Sequence, residues 1–273
     1  MRQGWFPTRS SAQEAIRAGQ VQVGQVIVRR PGRLVPASTR LALVPGAEVR
    51  ASRGAGKLEA AIDRWGVDPT GWRVADIGAS TGGFTETWLQ HGAERVYAVD
   101  VGHGQLRPWL AKDPRVAVAD GVNARDLAPA VLASADRAAP AVAWEPLEAA
   151  SIDVSFIGLD RVLVPVAGVV QPGGLALALL KPQFEVGPGH VGKGGVVRER
   201  EAVGDVLRRY HGAVAAWGWA WTDVMLCPVP GREGNREFWL RLARLPAAPG
   251  GRPAALVEDV LAEAYGPRDG VSR

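Results

Sequence analysis

The chain has 273 residues, 47% of them hydrophobic, which is enough to bury the core of one large domain with a smaller companion. No run of 18 apolar residues occurs and the first residues, MRQGWFPTRSS, lack an apolar signal-peptide core, so we expect a cytoplasmic protein that does not enter a membrane. The single cysteine, Cys227, excludes an internal disulfide framework and a multi-cysteine zinc site. The four histidines form no HExxH motif, so no metal is predicted.

Positive charge is concentrated at the N-terminus. Residues 1–50 contain eight arginines and two glutamates, a net charge of +6, which leaves −2 for the rest of a chain whose total is +4. A basic segment beside a nearly neutral body is typical of a module that binds a polyanion such as nucleic acid. A basic surface that only aids solubility is the alternative.

Lysine is rare in this chain, which has only four lysines against 28 arginines. Arginine stays protonated in proteins, whereas a buried lysine can lose its proton. A lysine here therefore indicates a position where arginine does not suffice. The four are Lys57, Lys112, Lys181 and Lys193.

The first elements along the chain predict a small α+β unit. A helix is expected over residues 11–18, capped by Ser10 or Ser11. Apolar alternation over residues 21–28 predicts two short strands that turn at Gly24, and RLALVPGAEVR contains a third strand.

This segment resembles the S4 RNA-binding domain. The resemblance lies in RSSAQEAIRAGQVQVGQVIVRRPGRLV, although MRQGWFP does not supply the first helix of the usual S4 pair. It implies that basic side chains contact structured RNA. The candidates are Arg9, Arg17, Arg29, Arg30 and Arg33.

Beyond residue 57, strands and helices alternate. Such alternation predicts an α/β fold with a Rossmann-like, doubly wound parallel sheet, here with one antiparallel edge strand. The strands are predicted near 73–77, 95–99, 116–119, 151–155, 174–180, 223–228 and 236–243. The helices are predicted near 58–65, 83–91, 104–111, 126–133, 159–168 and 199–217, and a terminal helix lies in AALVEDVLAEAY.

A glycine-rich bend, DIGASTGG, follows the first of these strands. Glycine lets the backbone approach a ligand closely, and the next helix points free N–H groups at the same place. Asp100 ends the following strand, where a carboxylate can accept bonds from two ribose hydroxyls. Ser80 stands at the second glycine of the NAD fingerprint and no GKS or GKT follows, so neither NAD nor a P-loop is indicated. The DxGxxxGG pattern instead resembles motif I of S-adenosylmethionine (SAM) methyltransferases, with an ordinary turn as the alternative.

Further blocks occur in one order: GASTGGFTETWLQHGAERVYAVDVGHGQL, DPRV, DVSFIGL, LLKPQFEVG, GGVVRE and GNREFW. Together they resemble the TlyA-type (haemolysin A family) ribosomal RNA 2′-O-methyltransferases. That family joins an S4 domain to an FtsJ/RrmJ-like catalytic domain. The resemblance implies an S4-like domain over 1–50, a link over 51–57, a methyltransferase domain over 58–245, and a linker with a helix of unassigned role over 246–273. It also implies SAM as cofactor and ribosomal RNA or a ribosomal subunit as partner, with a cytidine in 23S, or also 16S, RNA as the target.

The family has four catalytic residues, and its motifs match them to Lys57, Asp153, Lys181 and Glu237 in this sequence. A ribose hydroxyl is a poor nucleophile and must lose its proton to attack the SAM methyl. Lys181 is expected to be the base or the group that orients the hydroxyl, and Lys57 to lower its pKa and position the ribose. The carboxylates would fix the two ammonium groups. Salt-bridged residues at strand ends are the structural alternative.

The same resemblance implies the residues that bind SAM. Most surround its methionine part, while Asp100 meets the ribose and two residues after the third strand meet the adenine. The set is Asp76, Gly78, Ser80, Thr81, Gly82, Gly83, Asp100, Asp120, Asn123 and Asp153. The glycine-rich segment GPGHVGKGGVVRER is predicted to be a loop over the RNA site, with Lys193, Arg198 and Arg200 on phosphates; a solvated loop is the alternative.

Three other functions are less favoured by the sequence. A catalytically inactive RNA-binding assembly factor would keep the fold without SAM chemistry. A membrane-active haemolysin would need an apolar span or a basic amphipathic helix, and a small-molecule methyltransferase would not need the basic N-terminal module. A monomer is favoured.

Overall fold

The computed structural model describes residues 9–17, 19–36, 38–44, 54–136, 145–231, 234–246 and 253–266. The chain divides into two compact units, residues 1–53 and residues 54–273. Within the described ranges, no helix is both long and apolar enough to cross a membrane. The same ranges contain no group of three or more side chains suited to holding a metal ion.

In its described residues the first unit has one helix, α1 (Arg9–Arg17), and three short strands, β1 (Val21–Val23), β2 (Val26–Val28) and β3 (Leu41–Leu43). The strands form an antiparallel sheet in the order β2-β1-β3. Gly24 turns between β1 and β2 with a φ of +60°, so the predicted hairpin is confirmed. Ala15 and Val21 are buried together in a small core. The segment MRQGWFP lies outside the described residues.

The second unit is built on a seven-stranded sheet in the order β6-β5-β4-β7-β8-β10-β9. The predicted α/β class is confirmed. The antiparallel strand is β10, which pairs antiparallel with both β8 and β9 and so lies next to the edge, not at it as predicted. The strands are β4 (Arg73–Ile77), β5 (Arg95–Asp100), β6 (Val116–Asp120), β7 (Leu147–Ile152), β8 (Val170–Leu180), β9 (Trp219–Leu226) and β10 (Phe238–Arg244).

Seven α-helices of this unit lie in the described residues. They are α2 (Ala55–Trp65), α3 (Gly83–Gln90), α4 (Pro108–Ala111), α5 (Pro129–Ala135), α6 (Asp160–Ala167), α7 (Arg200–Ala213) and α8 (Pro253–Tyr265). Two prolines set boundaries that the sequence prediction missed, because Pro108 and Pro129 stand in the first turns of α4 and α5, where proline is favoured. The helix α2 begins two residues before Lys57, which therefore lies in its first turn.

Helices cover both faces of the sheet. On one face, residues of α5, α6, α7 and α8 join a single buried core with alternate residues of the strands. On the other face, α3 packs Phe84 against Trp239 of β10, and the Trp88 indole donates to Ser151 of β7. Asp76 points to this second face, since its carboxylate contacts Thr85 of α3.

The C-terminal helix α8 is part of the fold. It packs against α7 and β9 and buries Val257, Val260 and Leu261. Glu258 accepts hydrogen bonds from Arg208 at 2.9 Å and Arg200 at 3.3 Å. The helix whose role the sequence left open thus completes the core beside the edge strand.

Candidate functional site

A cavity of about 690 Å³ opens at the carboxyl ends of the central strands. The strand order reverses between β4 and β7, and ligands of doubly wound sheets bind at such switch points. The volume falls within the range of small-molecule sites, roughly 300–1,000 Å³. Five of the ten residues predicted to bind the cofactor line it: Gly78, Ser80, Asp100, Asn123 and Asp153.

The turn after β4 depends on a glycine. Gly78 has a φ of +87°, and a Cβ there would lie 2.5 Å from the carbonyl oxygen of Asp153. A larger residue would push the β4 and β7 loops apart at the cavity wall. Ser80 also has a positive φ, +48°, and its backbone N–H donates to Asp100 at 2.8 Å.

Backbone N–H groups fix the Asp100 carboxylate in the cavity wall. Oδ2 accepts from Ser80, and Oδ1 accepts from Gly102 at 2.7 Å. Oδ1 also accepts from Gln105 Nε2 at 3.4 Å, whereas Oδ2 accepts only the Ser80 bond among the described residues and can still accept a bond from a ligand hydroxyl.

The other five predicted cofactor contacts do not line the cavity, and one of them, Asp76, requires a correction. Asp76 has no exposed surface, and its Oδ2 accepts from the Thr85 N–H at 2.8 Å and hydroxyl at 2.7 Å. Burial raises the pKa of Asp76 to about 7, although these hydrogen bonds oppose the rise. Asp76 therefore anchors the first turn of α3. The remaining four stay predictions; they are Thr81, Gly82, Gly83 and Asp120.

Two lysine–carboxylate pairs bring together the four predicted catalytic residues. Lys57 Nζ lies 2.6 Å from Glu237 Oε2, just before β10. Lys181, directly after β8, has its Nζ 2.5 Å from Asp153 Oδ1, directly after β7. Lys181 also donates to the Ser155 hydroxyl at 3.1 Å. Glu237 is 2% exposed and Lys181 9%, so the charges are largely removed from water.

The two pairs act on each other electrostatically. Burial lowers the pKa of Lys57, but the negative charges of Asp153 and Glu237 outweigh burial and raise the pKa overall. Asp153 thus faces both lysines, and the four residues form one cluster with balanced charge beside the cavity.

The residues predicted to contact RNA are distributed over both units. Arg17, Arg29, Arg30 and Arg33 are exposed in the first unit, while the side chain of Arg9 lies outside the described residues. In the second unit, Lys193 and Arg198 are exposed in the glycine-rich loop.

Arg200 requires a correction. Its side chain is only 15% exposed and lies 3.3 Å from Glu258 and 3.8 Å from Glu201. Because the guanidinium is mostly buried and paired with these two carboxylates, the structure does not support its predicted contact with phosphates.

Three residues at the site were missed from the sequence. Ser155 contacts Lys181 and belongs to the same DVSF block as Asp153. Glu185 accepts from the Leu159 N–H at 3.0 Å and the Tyr210 hydroxyl at 2.8 Å, which fixes the loop between β7 and α6. Asn235 lies two residues before Glu237 and is 2% exposed. All three lie inside the matched blocks DVSFIGL, LLKPQFEVG and GNREFW, which was the signal in the sequence that could have identified them.

Comparison with known proteins agrees with this arrangement. The FtsJ-like methyltransferase family matches residues 50–244, and the S4 domain matches residues 2–41. The chain belongs to the FtsJ-like methyltransferases. Within them it is of the TlyA type, in which an S4 domain precedes the catalytic domain, so the resemblance seen in the sequence is confirmed.

Among relatives, this FtsJ-like methyltransferase is 40% identical over 240 residues to YqxC of Bacillus subtilis, covering 88% of this chain and 82% of that one; YqxC carries the name of an rRNA methyltransferase. It is 37% identical over 244 residues to the 16S/23S rRNA (cytidine-2′-O)-methyltransferase TlyA of Mycobacterium tuberculosis. That alignment covers 88% of this chain and 87% of the relative. The solved structure of a protein named as a hemolysin, from Streptococcus thermophilus, is 34% identical and superposes with a TM-score of 0.75. The superposition covers 97% of this chain and 92% of that one.

The family implies SAM as the cofactor, and the cavity of this FtsJ-like methyltransferase fits it. Asp100 presents acceptors where a ribose would lie, at the end of the second strand of the sheet in chain order. Ser80, at the point where a dinucleotide site has glycine, agrees with a cofactor that has a ribose and an adenine but no pyrophosphate.

Proposed function

We propose that the protein transfers the methyl group of SAM to the 2′-hydroxyl of a cytidine in ribosomal RNA. The observation that carries the proposal is the buried cluster of Lys57, Asp153, Lys181 and Glu237 beside the cavity. A ribose hydroxyl requires a base or a positive group beside it, since it is barely ionised at neutral pH. The name of the M. tuberculosis relative supports cytidine and ribosomal RNA as the target.

The cavity residues hold the cofactor in this proposal. Gly78 and Ser80 would leave room for its methionine part, Asp100 would accept hydrogen bonds from its ribose, and Asn123 would contact its adenine. When bound, SAM supplies an electrophilic methyl group. Asp153 lines the cavity and pairs with Lys181, so it would bring the methionine end of the cofactor next to the catalytic cluster.

Lys181 acts on the nucleophile. In its neutral form, Nζ would take the proton from the 2′-hydroxyl as the oxygen bonds to the methyl carbon and sulfur departs with the electron pair of its bond to that carbon. Asp153 and Ser155, at 2.5 and 3.1 Å, hold Nζ in position, and the Asp153 carboxylate stabilises the ammonium that results. The proton therefore ends on Lys181, which returns it to solvent.

Lys57 positions the ribose, and the Glu237 carboxylate compensates the positive charge of Lys57. Two ammonium groups in one buried site would repel each other without carboxylates. The 2.6 Å pair between Lys57 and Glu237 lets a second lysine lie near Lys181. Lys57 remains charged because its pKa is raised, so it acts as a fixed donor to the substrate.

The RNA is bound by two sets of cations. Arg17, Arg29, Arg30 and Arg33 of the S4 unit bind its backbone, and Lys193 and Arg198 bind phosphates near the target ribose. Ribosomal RNA also accords with a location in the cytoplasm.

The proposal is tested with purified protein, SAM with an isotope-labelled methyl group, and separate small and large ribosomal subunits. After nuclease digestion, mass spectrometry identifies the labelled nucleoside. We expect 2′-O-methylcytidine. Label on a base would contradict ribose methylation, and SAM binding without RNA labelling in either subunit would favour a binding factor.

A further inference from the structure

The side-chain amide of Asn235 connects two separate loops of the second unit. Its Oδ1 accepts from the Val197 N–H at 2.9 Å, and its Nδ2 donates to the Gly195 carbonyl at 2.8 Å. Both partners belong to the glycine-rich loop, whereas Asn235 stands two residues before Glu237. The amide uses both its acceptor and its donor, and it is buried.

The backbone around Asn235 also shapes the position of Glu237. The Gly231 N–H donates to the Asn235 carbonyl at 2.9 Å, which closes the turn before β10. A Cβ on Gly231 would lie 2.6 Å from Glu237 Oε1, so this glycine lets the turn fold over the carboxylate. Moving Asn235 would thus move the partner of Lys57.

The other end of the connection carries exposed cations. Val197 is 2% exposed and anchors the loop in the core, and Arg198 follows it directly. Lys193 and Arg198 are exposed on the same loop. A phosphate bound to these cations would contact a loop that the Asn235 amide joins to the turn carrying Glu237.

We propose that Asn235 is a positioning residue that couples RNA contact by the glycine-rich loop to the alignment of the Lys57–Glu237 pair. This inference rests on the proposed ribose methylation. Asn235 does not touch the cofactor cavity, so it acts through Glu237. Its loss is expected to leave SAM bound and to slow the methyl transfer step.

The first test compares Asn235→Ala with wild type. We expect kcat per SAM-binding site to fall about tenfold or more, while the Kd for SAM stays within twofold. Asn235→Asp, which keeps the volume and the acceptor for Val197 but loses the donor to Gly195, is a second variant should the alanine variant not fold. Asn235→Asp is also expected to lower kcat, as Asn235→Ala does.

A matched control separates positioning from general destabilisation. The Thr222 hydroxyl donates to the Arg241 carbonyl at 2.9 Å across β9 and β10, so Thr222→Val removes one side chain–backbone bond from the same strand pair. We expect it to leave kcat unchanged. Hydrogen exchange should accelerate at the Val197 amide in Asn235→Ala but not in Thr222→Val.

A double-mutant cycle tests the coupling itself. Lys193→Ala with Arg198→Ala should lower kcat in the wild type and have little further effect in the Asn235→Ala background, because coupled residues are not additive. Additive losses would overturn the coupling, as would a wild-type kcat in Asn235→Ala. A wild-type protein that methylates no RNA would instead reject the proposed function, which the wild-type assay shows before any variant is compared.

Discussion

Lys57 and Glu237 are 180 residues apart in the sequence, and the distance between their charged atoms is 2.6 Å. Lys57 comes from the first turn of α2, and Glu237 comes from the turn that precedes β10. Their side chains are 13% and 3% exposed. Removing one partner of such a pair leaves a buried charge without compensation, which is strongly destabilising. The pair therefore links the start of the catalytic unit to its last strand.

Glu237→Gln tests that link. The variant keeps the shape of the side chain and removes its charge, while Asp153 still faces Lys57. We expect the free energy of unfolding to fall by about 3 kcal/mol, the low end for a broken buried pair. The initial rate of methyl transfer should fall as well. Urea unfolding measures the first effect, with the exposed Glu94→Gln as control. An unchanged urea midpoint would show that the pair contributes nothing to the fold.

Lys181→Ala should abolish methyl transfer and leave SAM affinity within about tenfold, which corresponds to 1.4 kcal/mol. The reason is that Lys181 acts on the hydroxyl, not on the cofactor. Lys181→Arg should also be inactive, because a guanidinium does not take up a proton. Calorimetry and a methyl-transfer assay measure the two effects, with Lys112→Ala at an exposed position as control. Near-normal turnover in Lys181→Ala would remove it as the base.

Asp76 should make stability depend on pH. Its pKa is about 7 in the folded protein, mainly through burial, against 3.8 for an ordinary aspartate. Between these values the folded state holds a proton that the unfolded state has lost, so stability falls as pH rises, by at most about 1.4 kcal/mol per pH unit. This contribution is fully present below pH 3.8 and lost by about pH 7.

Asp76→Asn isolates that contribution, since asparagine can still accept from the Thr85 N–H and does not titrate. Denaturant unfolding from pH 4.5 to 7 should give a flatter pH profile for the variant than for the wild type. Parallel profiles for the two proteins would mean that Asp76 is ionised throughout this range.

Deleting residues 1–50 should leave SAM binding nearly unchanged, because every described residue of the cavity lies after residue 70. Binding to ribosomal RNA should weaken greatly and its salt dependence should flatten, since each phosphate neutralised releases counterions. Changing Arg29, Arg30 and Arg33 to glutamate should mimic the deletion. Equal affinity and equal salt slope for the full and shortened proteins would leave RNA binding to the catalytic unit alone.

The α/β alternation was predictable because hydrophobic periodicity is a local property of the sequence. The cluster of four residues was predictable because each residue lies in a short motif that resembles the family's motifs. The sequence-based prediction misplaced Asp76, whose burial depends on Thr85 and on the helix packed over it. It also misread Arg200, because Glu258 lies on a helix whose place in the fold no local pattern indicated. The position of β10 inside the sheet depends on the pairing of β9 along its outer side, which is a tertiary property.

The most direct test of ribose methylation is a map of 2′-O-methyl groups in ribosomal RNA from cells with the gene, without it, and without it but complemented by the wild type or by Lys181→Ala. Resistance of the modified linkage to alkaline cleavage reports the methyl group at single-nucleotide resolution. We predict that at least one cytidine loses its methyl group on deletion, regains it with the wild type, and does not regain it with Lys181→Ala. Identical maps from all four strains would contradict the account.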